Sequence, residues 1–176
     1  MQKNDLMGEC VVIDVETTGF NKDEDRILRL DAVKVAEGRI TDKFSEYIRQ
    51  EGRISPAVTE LTGIDNSITD SARDEEAVIR DFIQFANDAP IISFMPEFDM
   101  GFLKEACLRY DVSYDNPGMD LRDICRRLIP GLKRYTSESV AQELGLKMGE
   151  DDSRTDVMTY ADIYLKIRDK AKDLDV

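Results

Sequence analysis

Apolar residues recur along this chain in two rhythms, one of strands and one of helices. Val11, Val12 and Ile13 form an unbroken β-branched run that suits a buried strand. Asp14 and Glu16 follow one residue apart, so on an extended chain both carboxylates point to the same side, before Thr17, Thr18 and Gly19 break the strand. Residues 27–36 and 39–49 alternate well enough to predict two more strands, turned at Glu37 and Gly38. Together the three strands predict an antiparallel meander.

Beyond residue 50 the period lengthens. Ser55 and Pro56 read as an N-cap and first helical position, and Thr62 and Gly63 end that short helix. Val78, Ile79, Phe82, Ile83, Phe85 and Ala86 predict a helix over 72–88. Pro90 punctuates, and Ile91 and Ile92 begin a short buried strand. In the next segment Phe98, Phe102, Ala106 and Tyr110 share one helical face, with Asp99 beside it at the helix start, where the dipole favours a carboxylate. Further helices are predicted over 120–134, over 137–144 with a stop at Gly145, and over 153–172. The last carries Val157, Tyr160, Ala161, Tyr164 and Leu165 in a stripe, with Asp156 at its beginning. This order predicts an α/β fold, a mixed sheet flanked by helices.

Composition narrows the picture. At 176 residues, 41% apolar and 35% charged, the chain reads as one soluble folded domain over 1–176. No run approaches a membrane span and the opening MQKNDLMGEC has no signal-peptide pattern, so a cytoplasmic protein without a membrane partner is expected. Cys10, Cys107 and Cys125 make no CxxC pair and read as buried, reduced thiols. With 24 basic against 37 acidic residues the net charge is −13, the wrong sign for nonspecific duplex binding, so any nucleic-acid contact must be local. Arg122, Arg126, Arg127, Lys133 and Arg134 form the most basic stretch, either a solvated helix face or a guide for phosphates. Histidine is absent, which removes the usual general base and leaves oxygen as the ligand for any metal.

Asp14, Glu16, Asp99 and Asp156 all stand at ends of apolar elements, and two adjacent carboxylates become tolerable with a divalent cation between them. The local sequences sharpen this reading. DVETTGF at 14–20, FDMGFL at 98–103 and Asp156 followed by VMTYADIYLKI resemble the DEDD superfamily of 3′–5′ exonucleases, which includes the proofreading domains of bacterial replicative polymerases and oligoribonuclease-like enzymes. The segments ELTGI at 60–64 and RRLIPGLKRYTSESVAQELGL at 126–146 look like that family's connecting segments, so the resemblance covers about 10–167. It implies an RNase H-like fold in which Asp14, Glu16, Asp99 and Asp156 hold two Mg²⁺ or Mn²⁺ ions for phosphodiester hydrolysis. It also implies that Thr17, Thr18 and Phe20 meet the 3′-terminal nucleotide of a single-stranded or frayed end, and it names a DNA polymerase as a partner.

The chain departs from the family pattern at two places. The family's histidine, five residues before the last aspartate, falls at Asp151, and the tyrosine of another branch, four before, falls at Asp152. The usual HNxxFD is here Phe94, Met95, Pro96, Glu97, Phe98 and Asp99. A positioned general base is worth about 10²–10⁴ in rate, so its loss predicts a slowed exonuclease, with Asp151 and Asp152 at the base's position. The same departures motivate a non-catalytic module binding nucleic acid or a protein. Asp14-Val15-Glu16-Thr17-Thr18 also superficially resembles the strand-DxDxT of haloacid-dehalogenase-like phosphatases, a reading that leaves FDMGFL unexplained.

Overall fold

The alternating segments form the expected meander, with Cys10–Thr17 (β1), Ile27–Ala36 (β2) and Arg39–Tyr47 (β3) pairing antiparallel. The structure is a computed structural model that describes residues 8–146 and 156–173. Glu37 and Gly38 turn β2 into β3 with φ of 54° and 81°, the left-handed geometry that fits a two-residue hairpin to the twist of its strands. There follow Pro56–Thr62 (α1), Asn66–Thr69 (α2), Glu75–Ala86 (α3), Ile91–Ser93 (β4), Pro96–Arg109 (α4), Gly118–Asp120 (β5), Leu121–Leu128 (α5), Ser137–Glu143 (α6) and Asp156–Asp173 (α7). The sheet runs β3-β2-β1-β4-β5, with β4 parallel to β1 and β5 parallel to β4.

Central β1 is buried on both faces, which is why its sequence is apolar without alternation. Cys10 and Val12 pack with Val33 and Val35 of β2 against α5, α6 and α7, through Leu121, Ile124, Val140, Ala161 and Tyr164. Val11, Ile13 and Val15 look the other way, onto Val78, Ile79 and Phe82 of α3 and Phe102, Leu103 and Ala106 of α4. A small cluster of Leu28, Ile54 and Ile64 with Val58 and Tyr47 seats α1 beside the meander. The three cysteines are buried and unbridged, and burial pushes the Cys10 and Cys107 thiols up to about 11 and Cys125 to about 12.

Several boundaries differ from the sequence expectation for local reasons. The first residues expected in α3 are drawn out of it, because Arg73 bridges Ile48 in parallel and Asp74 takes an extended N-cap conformation. That bridge also ends β3 at Tyr47 rather than 49. The helix expected over 120–134 stops at Leu128, since Pro130 disfavours helical geometry at Ile129, whose φ is −133°. Lys133 and Arg134 therefore lie outside it. Strand β5 and helix α2, of 3 and 4 residues, are too short to show a period. Ser55 caps α1 by accepting from the Val58 amide, and Gly63 closes it at φ 73°, as the sequence predicts.

Candidate active site

Along one face of β1 the residues change from apolar to acidic. Cys10 and Val12 lie under α7, and the next two positions on that face are Asp14 and Glu16. Helix α7 begins at Asp156, and Asp99 sits in the first turn of α4, which starts just beyond the end of β4. Three elements thus deliver four carboxylates to one end of the sheet. The electrostatics record their proximity. Burial first, and then Asp99, Glu16 and Asp156, raise the Asp14 carboxyl well above the ordinary range. Glu16 is raised to about 7 by burial, Asp156 and Asp31, with Arg29 opposing. Burial lifts Asp99 to about 6, against hydrogen bonds from Ser93 and the Val15 amide. Asp156 is raised too, by burial and then by Glu138.

Asp99 is 3% exposed and is held by the Ser93 hydroxyl, which itself accepts from the Met95 amide at 2.9 Å. As they stand, no three ligating side chains among the described residues converge on a single point. The donor set nevertheless fits hard divalent ions: four carboxylates, no imidazole, and a mutual repulsion that a bound cation relieves.

Beside Glu16 the surface turns apolar. Val15, Glu16, Thr17, Gly19, Phe20, Val58, Leu61, Thr62 and Phe98 line a cleft of about 140 Å³. Phe20 is 83% and Leu61 73% exposed, so each offers its side chain to solvent instead of the core, and Phe20 lies 6.1 Å from the Phe98 ring. The two threonines are spent differently. Thr17 is buried and donates to the Gly19 carbonyl at 2.6 Å, while Thr18 donates to Asp25 at 3.0 Å and accepts from the Arg26 amide. Their hydroxyls brace the loop that carries Phe20. Gly19 is required there by space, because a Cβ would stand 2.4 Å from the Asp25 carboxylate that Thr18 and the Asn21 amide hold.

Over residues 11–164 the chain matches the family model described as Exonuclease, RNase_T. The chain belongs to this exonuclease family. It is 31% identical over 169 residues to subunit epsilon of DNA polymerase III from Aquifex aeolicus, covering 95% of this chain and 84% of that protein. It is 30% identical over 172 residues to a PolC-type DNA polymerase III from Caldanaerobacter subterraneus subsp. tengcongensis, covering 97% of this chain but 12% of that protein. To the 3′-5′ exonuclease DinG of Bacillus subtilis it is 31% identical over 167 residues, covering 93% of this chain and 18% of that protein. Among solved structures the ExoI/SSB-Ct complex superposes with a TM-score of 0.80 at 17% identity, over 96% of this chain and 42% of that one. E. coli exonuclease I with a dT13 oligonucleotide follows at 0.73 and 18%, over 94% and 40%. At these identities the structures establish the exonuclease, RNase H-like, fold. The family is of the DEDD type and generally depends on divalent metal.

Several residues of this candidate site were not visible as such in the sequence. Ser93 ends an apolar strand, and nothing local marks it as the partner of Asp99. Val58 and Leu61 come from α1, which tertiary packing alone brings to the cleft. Arg29 and Asp31 did carry a signal, being charged residues in an apolar strand at alternate positions. Phe94 is 5% exposed and stacks at 5.2 Å on Tyr160, whose hydroxyl is raised by burial and by Asp14, Asp156 and Asp99. A stacked ring pair, buried at Phe94 and partly buried at Tyr160, thus stands where the family's polar residue is expected. Asp151 and Asp152 lie outside the described residues. Within the basic stretch Arg126 and Arg127 pair with Asp123 at 3.6 and 3.0 Å, and Arg127 lines a cleft with Pro90, at the opposite end of β4 from Asp99, while Lys133 and Arg134 lie beyond the helix. No helix among the described residues is long and apolar enough to cross a membrane. Family membership displaces the phosphatase reading, and it accounts for FDMGFL as the segment that carries Asp99.

Proposed function

We propose that this domain is a metal-dependent 3′–5′ exonuclease acting on the single-stranded or frayed 3′ end of a nucleic acid. The observation that carries the reading is the juxtaposition of four carboxylates from β1, α4 and α7 with an apolar cleft bearing the exposed Phe20 and Leu61. Asp14, Glu16, Asp99 and Asp156 would hold two Mg²⁺ or Mn²⁺ ions, which supply activation of water and charge stabilisation at the phosphodiester. The protein's own part begins with orientation. Phe20 offers a ring on which a terminal base stacks and Leu61 an apolar side chain beside it, with Phe98 and Val58 lining the same cleft. Ser93 and the Val15 amide fix the Asp99 carboxyl, so that its position does not depend on the substrate.

With no histidine in the chain, the usual general base is missing, and turnover slower by about 10²–10⁴ than in a histidine-bearing site is the expected consequence. Asp151 and Asp152 occupy the positions where that base stands in the family. The same absence favours a second reading, a non-catalytic module that binds a nucleic-acid 3′ end. A DNA polymerase is the partner this reading proposes, following the names of the epsilon and PolC-type relatives, and the cytoplasm is the compartment.

Labelled single-stranded DNA and RNA oligonucleotides incubated with Mg²⁺ or Mn²⁺ test the proposal. Mononucleotide release by the natural chain and its loss in Asp14→Ala are expected. Tight binding without release would establish the non-catalytic reading, and equal release by both proteins would overturn the assignment of the site.

A further inference from the structure

Strand β2 carries two charged residues in phase with the acids of β1. The antiparallel register sets Asp31 opposite Asp14 and Arg29 opposite Glu16, with Ser45 and Tyr47 next in line on β3. Opposed side chains on neighbouring strands stand about 4.5–5.5 Å apart at Cβ, so an arginine facing a glutamate is placed to form an ion pair with it. Arg29 does not do so. Its guanidinium turns toward β3: Nε donates to Asp31 at 2.9 and 3.1 Å from the two carboxylate oxygens, Nη2 to the Ser45 hydroxyl at 3.2 Å and Nη1 to the Tyr47 hydroxyl at 3.4 Å. The guanidinium carbon lies 5.0 Å from the centre of the Tyr47 ring. Glu16 makes no ion pair within 4.0 Å among the described residues. Asp31 is 5% exposed, and its Arg29 partner is largely covered as well.

We propose that Asp31, together with Ser45 and Tyr47, is a positioning device that draws Arg29 off its cross-strand neighbour Glu16 and so leaves the Glu16 carboxylate open to a divalent cation. The inference rests on the metal-site reading above and adds to it a residue outside the ligand set. Without the Asp31 anchor, the acid facing the guanidinium across the strand pair is Glu16. An Arg29–Glu16 pair then occupies a carboxylate the cation needs and adds a positive charge to the site. Removing Arg29 as well lifts that block, so the two substitutions are strongly non-additive. A purely structural role for the pair gives the opposite pattern, with the double variant no better than Asp31→Asn.

The test titrates the full chain with Mn²⁺ alone at neutral pH, following free Mn²⁺ by electron paramagnetic resonance, for the natural chain, Asp31→Asn, Arg29→Gln and the double variant. Asp31→Asn is expected to weaken Mn²⁺ binding about tenfold, the scale of one charge-assisted hydrogen bond. The double variant is expected to recover binding close to that of the natural chain. Unchanged affinity in Asp31→Asn, or a loss that Arg29→Gln does not restore, overturns the inference while leaving the metal site standing. A natural chain that binds no Mn²⁺ overturns both. Should Asp31→Asn fail to fold, Ser45→Ala combined with Tyr47→Phe loosens the same anchor from β3, and the same pattern of loss and rescue by Arg29→Gln decides.

Discussion

Replacing Asp99 by asparagine separates the cost of the site from its use. The carboxyl is 3% exposed, and burial raises its pKa from 3.8 to about 6 in the folded protein, against the hydrogen bonds it accepts. A group raised on folding contributes stability that is fully present below its unfolded value and is lost as pH climbs through the folded one. From below its unfolded value to above its folded one the metal-free protein therefore gives up roughly 3 kcal/mol at this one carboxyl, most of it between pH 4 and pH 7, since each tenfold change in proton affinity is worth about 1.4 kcal/mol. Asparagine keeps an acceptor for the Val15 amide and a donor toward Ser93, but has no charge to desolvate. Its altered hydrogen bonds return part of the gain, about 1 kcal/mol. Asp99→Asn should thus be more stable than the natural chain by about 2 kcal/mol at neutral pH in chelator, and the gap should close near pH 4. Urea denaturation followed by circular dichroism at both pH values measures it. If the variant is no more stable at neutral pH, or if the gap persists at pH 4, the claim that the burial of this carboxylate costs the site stability is wrong.

Two further outcomes follow from the same geometry. Phe20→Ala and Leu61→Ala remove exposed side chains, so each should leave folding stability within about 0.5 kcal/mol; Phe20→Ala should raise KM for oligonucleotides by about 5- to 150-fold, the range of one base–aromatic stack, and Leu61→Ala by less, and an unchanged KM for both in steady-state assays would place the terminal base elsewhere. Phe82 is fully buried and meets Phe44 edge-on at 5.8 Å, and Phe82→Ala should cost about 3–5 kcal/mol in urea denaturation, with a loss under about 1 kcal/mol showing that the α3 face of the sheet is not a close-packed core.

The legible parts of this protein were those in which neighbours in sequence decide the outcome. The β-branched run at Val11–Ile13, the left-handed turn at Glu37–Gly38, the Ser55–Pro56 start and Gly63 stop, and the pairing of Asp14 with Glu16 on one face all follow from backbone geometry over a few residues. The absence of histidine was equally plain, and with it the restriction to oxygen ligands. Boundaries slipped where a distant residue intervened, as when the Arg73–Ile48 bridge shortened both β3 and α3. Asp99 and Asp156 announced themselves by motif. Their arrival at the end of β1 depends instead on where α4 and α7 begin over the sheet, a matter of packing two apolar stripes onto opposite faces. The cleft likewise needed α1 to be seated on Leu28, Ile54 and Ile64 before Leu61 joined Phe20 in its lining. Local sequence thus determined the elements and the donor chemistry. Only the tertiary structure decided which way Arg29 turns, because both its neighbours on β1 and β2 are acids, and the hydroxyls of β3 tip the balance toward Asp31.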